Sequence, residues 1–239
     1  MIAITWLAIS LLYVAGAFLN DAFDRDLDRV DQPTRPIPAG AANAGAVFDA
    51  GFALLGAGTL LVIITAIATG AGWKPNVSVL ALGSLIVFYN ADHKDNPLAP
   101  LVMGLCRAGV YTTVALLVRP DLCVEVLTGC VVLVAYLVGQ SYVARGAMAS
   151  LWPLGLLGVP FVIAWPQHST AFVIYAGFGL WVLRALFVTR GRATKAASLV
   201  AGISLLDALL ISNLGRTDLA VVALVGFATT TLLQRFGPT

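Results

Sequence analysis

Nine predominantly apolar stretches recur along the chain, at about 2–20, 44–69, 77–91, 98–118, 122–144, 149–165, 170–189, 195–213 and 218–235. A helix needs about 20 mostly apolar residues to cross the hydrocarbon core of a bilayer. Inside that core the backbone must satisfy its own N–H and C=O groups, so such stretches become helices. The pattern predicts an all-α, polytopic transmembrane bundle of about eight to nine helices, forming one domain over 1–239. The third and sixth stretches are short, and the eighth carries Asp207. Charged residues make up only 11% of the chain and mean hydropathy is +0.92, whereas a soluble domain is about 25% charged. The 23 glycines suit close helix contact in lipid. A net charge of +2 is too small to indicate a nucleic-acid partner. Cys106, Cys123 and Cys130 lie in apolar runs without metal spacing and read as packing residues. Met1–Leu19 has no basic segment of the signal-peptide kind.

The breaks between these stretches are legible. Pro33, Pro36 and Pro38 end the first helix and stiffen the loop behind it. Trp73-Lys74-Pro75-Asn76 and Arg119-Pro120-Asp121 read as short turns, 92–100 as a polar loop, and Arg190-Gly191-Arg192 as the start of a basic loop. Basic residues favour the cytoplasmic side. Threading nine spans puts Arg25, Arg29, Arg35, Lys94, Arg145, Arg190, Arg192, Lys195 and Arg235 on one side. Lys74, Arg119 and Arg216 fall on the other. The acidic stretch near the N-terminus is thereby expected to face the cytoplasm of a multi-pass membrane protein, and the membrane to be a bacterial plasma membrane.

That acidic stretch is Asn20-Asp21-Ala22-Phe23-Asp24-Arg25-Asp26-Leu27-Asp28, and five of the twelve acids fall between Asp21 and Asp31. On a helix continuing from 2–19, at about 100° per residue, Asn20, Asp21, Asp24 and Asp28 share one arc and Asp26 points away. Arg25 and Arg29 are expected to flank the acidic face. Three carboxylates and an amide over roughly 12 Å, at a helix C-terminus that disfavours anions, call for cations. Oxygen donors suit Mg²⁺, which keeps positions for water and phosphate. A Mg²⁺-bridged diphosphate is one reading. A solvated helix end neutralised by Arg25, Arg29 and Arg35 is the other.

The spacing N-D-x-x-D-x-x-x-D resembles the first aspartate-rich motif of the UbiA superfamily of intramembrane prenyltransferases. Arg35-Pro36-Ile37-Pro38-Ala39-Gly40 resembles the R-P-[IL]-P-S-G segment that follows it there, with Ala39 in place of Ser. Finer details resemble the divergent EboC-like branch. The resemblance implies a UbiA-like fold, with one family helix missing ahead of the motif helix. It implies Mg²⁺ as cofactor, a prenyl diphosphate and membrane lipid as partners, and a lipophilic or aromatic acceptor. Asp21, Asp24 and Asp28 would be the catalytic metal ligands, with Asn20 and Arg35 beside the substrate. Tyr89 and Lys94, within Tyr89-Asn90-Ala91-Asp92-His93-Lys94-Asp95-Asn96, resemble a Tyr and a Lys that contact diphosphate in the family. This segment is expected to be a cytoplasmic loop, with Asn90 at the substrate and Asp92 and Asp95 as additional ligands. His93 reads as a loop residue or as one that supports the ligands, rather than as a ligand itself. Arg107 lies within an apolar helix, where a cation is costly and faces a partner or a polar cavity. Diphosphate is one such partner.

One departure bears on activity. The second aspartate-rich motif of the family would fall within Ser141–Ser150, which contains no acid. With half of the ligands gone, metal affinity and leaving-group activation should both fall. Arg145 could neutralise phosphate directly instead. Two functions are therefore expected: Mg²⁺-dependent prenyl transfer, or non-catalytic binding or transport of an isoprenoid or apolar biosynthetic product.

Overall fold

The structure, a computed structural model, describes residues 1–94, 96–146 and 151–234. Asp95, the 147–150 part of the Ser141–Ser150 segment, and Arg235 lie outside the described residues. Ten α-helices and no strands occur among the described residues. They are α1 (Ile2–Phe23), α2 (Arg25–Asp31), α3 (Ala44–Thr69), α4 (Lys74–Asp92), α5 (Ala99–Val118), α6 (Val124–Ala144), α7 (Leu151–Ile163), α8 (Ser169–Leu183), α9 (Arg192–Asn213) and α10 (Thr217–Leu233). Each of the nine apolar stretches contains a helix among the described residues, and α2 is the additional helix.

Among the described residues six helical segments are long and apolar enough to cross a membrane: Ile2–Phe23, Ala44–Thr69, Ala99–Val118, Val124–Ala144, Ser169–Val188 and Arg192–Asn213. The stretch carrying Asp207 is thus a full-length span. α7 and α10 are apolar but shorter. Large apolar side chains such as Trp6, Leu60, Ile64 and Ile67 are exposed on these helices. In water they would form an adhesive surface, whereas against lipid tails they are solvated. The chain is a multi-pass, all-helical membrane protein.

The helices group into two compact units, Met1–Leu127 and Thr128–Thr239. In the first, α1 lies along α3. A Cβ on Gly58 would stand 2.9 Å from the Ala8 carbonyl oxygen, and one on Gly51 would stand 2.9 Å from the Leu19 side chain. Glycine at these two positions lets the helix backbones approach to a distance that other side chains would block. Ala8, Leu12, Val62, Ala66, Val79, Leu82 and Leu117 fill the core between α1, α3, α4 and α5. Ser78 Oγ hydrogen-bonds with Thr112 Oγ1 at 3.1 Å and Thr113 Oγ1 at 2.8 Å, tying α4 to α5. Asn43 caps α3 by accepting from Ala46 N at 3.2 Å. Gly70, at φ 68°, ends it in the left-handed conformation.

In the second unit the buried Tyr136 hydroxyl donates to the Leu199 carbonyl at 2.8 Å. Trp181 Nε1 donates to the Ser198 carbonyl at 2.7 Å, which holds α8 to α9. A π-helical turn, Arg184–Val188, closes α8.

Three local expectations are corrected. Residues 73–76 are not a separate turn. Lys74 begins α4, and Pro75 occupies its first turn, where a missing N–H costs nothing. Tyr89, Asn90 and Asp92 are not in a loop but in the last turn of α4. The motif helix is interrupted at Asp24, where α1 ends and α2 begins. The interruption is slight: Asp24 N donates to the Asn20 carbonyl, and Asp28 N to the Asp24 carbonyl, each at 2.9 Å.

Candidate functional site

The near-continuous hydrogen bonding across Asp24 preserves the helical spacing, and Asp26 points to water as expected. Arg25 and Arg29 turn to Asp26, at 3.5 and 3.3 Å, rather than to the acidic face. The cations on that face come from farther along the chain. Arg35 Nη1 donates to Asp28 Oδ2 at 2.8 Å and to Asp21 Oδ1 at 3.2 Å. Lys94 Nζ lies 3.0 Å from Asp24 Oδ2. Asp24 and Asp28 are buried while Asp21 is exposed. Burial of two carboxylates is tolerable here because each faces a cation at hydrogen-bonding distance.

The motif is thereby divided. Asp21 and Asp28 face Arg35 and the Pro36–Pro38 loop, where they line a small pocket with Phe18 and Val47. Asp24 faces the segment after α4. Asn20 faces a third direction: with Ile9, Tyr13 and Gly16 it belongs to a stripe on α1 that lines a cleft of about 370 Å³. α4 contributes Leu82, Ile86, Tyr89 and Asn90 to the cleft, and α5 contributes Cys106, Arg107 and Val110. Apart from Tyr13 and Arg107, the cleft walls are apolar near the middle of α1. Asn20, Tyr89 and Asn90 form a polar end close to Asp24 and Lys94.

His93 completes that end. Its Nε2 is 3.7 Å from Asp24 Oδ2, its ring stacks on Tyr89 at 4.9 Å, and its buried Nδ1 has no hydrogen-bond partner. His93 is the residue that caps α4, and its place behind Asp24 agrees with the expectation of a supporting residue; the i, i+4 spacing from Tyr89 brings the two rings together. Asn90 is buried and donates to the Ile86 carbonyl at 2.9 Å. Asp92 accepts from Asn96 Nδ2 at 2.9 Å. Arg107 sits over the Tyr13 ring, 5.7 Å from its centroid. Arg145 belongs to the second unit, where it lies over the Tyr142 ring at 5.9 Å.

The oxygen donors at the motif are of the kind that Mg²⁺ accepts. Their placement is different from a metal site: among the described residues no three acidic, histidine or cysteine side chains form a group that could hold a metal. Asp21 and Asp28 converge on a guanidinium, and Asp24 turns to an ammonium. As arranged here, these residues do not fit a resident Mg²⁺.

Fold and site define a class: a multi-pass helical membrane protein with a charge-paired acidic motif at the polar end of an apolar cleft. Over 88 residues the chain is 31% identical to a digeranylgeranylglyceryl phosphate synthase from Metallosphaera sedula. The similarity covers 37% of this chain and 29% of that relative, so the chain spans less than a third of the relative's length in the match. That relative is a UbiA-type prenyltransferase, and the likeness supports the superfamily resemblance carried by the motif. No family model matches the chain, and no solved structure matches it.

Proposed function

We propose that the chain is a UbiA-type prenyltransferase that binds a prenyl diphosphate at the Asp24–Lys94 end of the cleft and transfers the prenyl group to a lipophilic acceptor in the membrane. The observation that carries this reading is the Asp24–Lys94 pair, which draws the motif and the end of α4 together beside Asn20, Tyr89 and Asn90. Lys94 is a mobile point charge, half exposed and able to follow a phosphate. Asn20, Asn90 and Tyr89 offer neutral polar groups to the same head. Leu82, Ile86 and Val110 give the adjoining wall no water to donate. Such a wall shelters an allylic cation from hydrolysis. In the transfer, the allylic C–O bond breaks with its electron pair leaving on diphosphate. The acceptor supplies the pair for the new bond and then releases a proton. The Mg²⁺ dependence implied by the resemblance would require Arg35 to leave Asp21 and Asp28 first.

A second reading, binding or transport of an isoprenoid without turnover, is favoured by the same ion pairs, because they leave the carboxylates already neutralised. Purified protein in lipid nanodiscs, incubated with a labelled prenyl diphosphate, Mg²⁺ and aromatic or lipid acceptors, separates the two. Release of diphosphate that disappears in Asp24→Asn supports transfer. Intact recovery of bound prenyl diphosphate overturns transfer for those acceptors and leaves the binding protein.

A further inference from the structure

The ends of α6, α8 and α9 meet at one corner of the second unit, and that corner is cationic. From Thr128 to Leu206 the sequence has no aspartate or glutamate, yet it carries Arg145, Arg184, Arg190, Arg192 and Lys195. The four arginines are exposed, and none pairs with a carboxylate among the described residues. The unit's two acidic side chains, Asp207 and Asp218, lie farther along. Asp207 is fifteen residues beyond Arg192 on α9, about 22 Å at the helical rise. Asp218 is taken by Arg216 at 2.9 Å.

Local contacts gather these ends. Lys195 Nζ donates to the Leu186 carbonyl at 2.9 Å, which folds the first turn of α9 against the π-helical turn. Gly191, at φ 86°, lets the chain reverse between them. The Arg192 guanidinium lies against Gly146, where an added Cβ would stand 3.1 Å from it. Arg192 thus reaches the end of α6, beside Arg145.

Depth and neighbours indicate the kind of anion that fits. Arg184 lies four residues before the end of the span Ser169–Val188, or about 6 Å. The headgroup layer of a bilayer is about 5–8 Å thick on each side. The guanidinium lies over the Trp181 ring at 4.9 Å, and that ring is fixed by its hydrogen bond to the Ser198 carbonyl. Arg145 lies over Tyr142, whose ring meets Trp152 at 4.5 Å. Tryptophan and tyrosine of this kind belong to the membrane–water interface. Leu183 and Phe187, on one face of the helix beside Arg184, are exposed. Acyl chains cover such a surface, whereas a soluble anion has no use for it.

We infer that this corner is a docking site for an anionic phospholipid. Arg184 takes the phosphate, Arg145, Arg190 and Arg192 supply the surrounding positive field, and the acyl chains lie along Leu183 and Phe187. A guanidinium grips phosphate oxygens with two N–H groups, and each further arginine near the headgroups adds attraction. The site concerns the second unit alone and does not rest on the transferase reading.

The test is a titration of the protein, purified in an uncharged detergent, with fluorescent phosphatidylglycerol. Unlabelled phosphatidylglycerol or phosphatidylcholine of the same chains serves as competitor. Wild type should prefer phosphatidylglycerol at least about tenfold. Arg184→Gln with Arg192→Gln should reduce the preference to less than about twofold. Lys74→Gln with Arg119→Gln removes the same charge from the first unit and should leave the preference unchanged. Inorganic phosphate at the lipid's concentration should not compete. An unaltered preference in the Arg184/Arg192 variant, an equal loss in the Lys74/Arg119 variant, or equal competition by inorganic phosphate would each overturn the assignment. Arg184→Lys with Arg192→Lys keeps the charge but loses the two-pronged grip, so it should bind phosphatidylglycerol more weakly than wild type. If the glutamine variant does not fold, an unaltered affinity in this lysine variant overturns the site. Failure of prenyl transfer would not, because the measurement involves neither prenyl diphosphate nor turnover.

Discussion

Lys94 Nζ and Asp24 Oδ2 lie 3.0 Å apart, and the carboxylate is buried while the ammonium is half exposed. Breaking such a pair leaves a buried charge without compensation. Lys94→Gln should lower stability by about 2 kcal/mol, less than for a fully buried pair because water still reaches the lysine side. Asp24→Asn, which removes the buried charge instead, should cost less. Thermal unfolding of the two variants and the double variant in one detergent measures this. An equal loss in the single variants would show that the pair is not what holds Asp24.

The two faces of the motif should behave differently toward ligand. Asp24 is buried beside the polar end of the cleft, whereas Asp26 is exposed and pairs with Arg25 and Arg29. Asp24→Asn is expected to weaken prenyl diphosphate binding by more than about tenfold, and Asp26→Asn by less than about twofold, equivalent to about 1.4 and 0.4 kcal/mol. Titration of labelled prenyl diphosphate decides it. Equal effects at equal protein folding would remove the argument from helical face.

Arg35 and a divalent cation should exclude one another at Asp21 and Asp28. Arg35→Gln is expected to be less stable than wild type in EDTA, since Asp28 is only 3% exposed on its side chain and loses its partner. Added Mg²⁺ should then raise the melting temperature of Arg35→Gln more than that of wild type, by preferential binding to the folded form. Equal shifts in the two proteins would mean that Arg35 does not compete for the site.

From the distribution of basic residues we propose that the acidic motif faces the cytoplasm. A reporter inserted after Gly40 should read cytoplasmic, and one inserted after Gly72 should read external. Gly72 lies in the loop before α4, so that fusion spares the first turn of the helix, which a fusion at Asn76 would break. The reverse pattern would invert the expected topology.

Much of the architecture could be read from local pattern. Each apolar stretch became a helix because lipid leaves the backbone no other way to satisfy itself. The outward direction of Asp26 followed from helical spacing alone, whereas Asn20, Asp21, Asp24 and Asp28, expected on one face, divide among three directions. Errors arose at helix ends, where residues of a polar segment join the final or first turn: Tyr89 through Asp92 completed α4, and Lys74 began it.

What the sequence by itself determined was the list of charges and the helices that carry them. Only the tertiary structure decided which charges meet. Arg25 and Arg29, the nearest cations to the motif, went to Asp26, while of the three expected arginines only Arg35 came back to it, from beyond Pro33, and Lys94 joined from the end of α4. Arg107 met Tyr13 on another helix. These partners are set by how α1, α3, α4 and α5 pack, down to the absence of a Cβ at Gly58. Helical spacing fixes neighbours within a turn. Pairs brought together by packing depend on side-chain volumes along whole interfaces, which no local pattern contains.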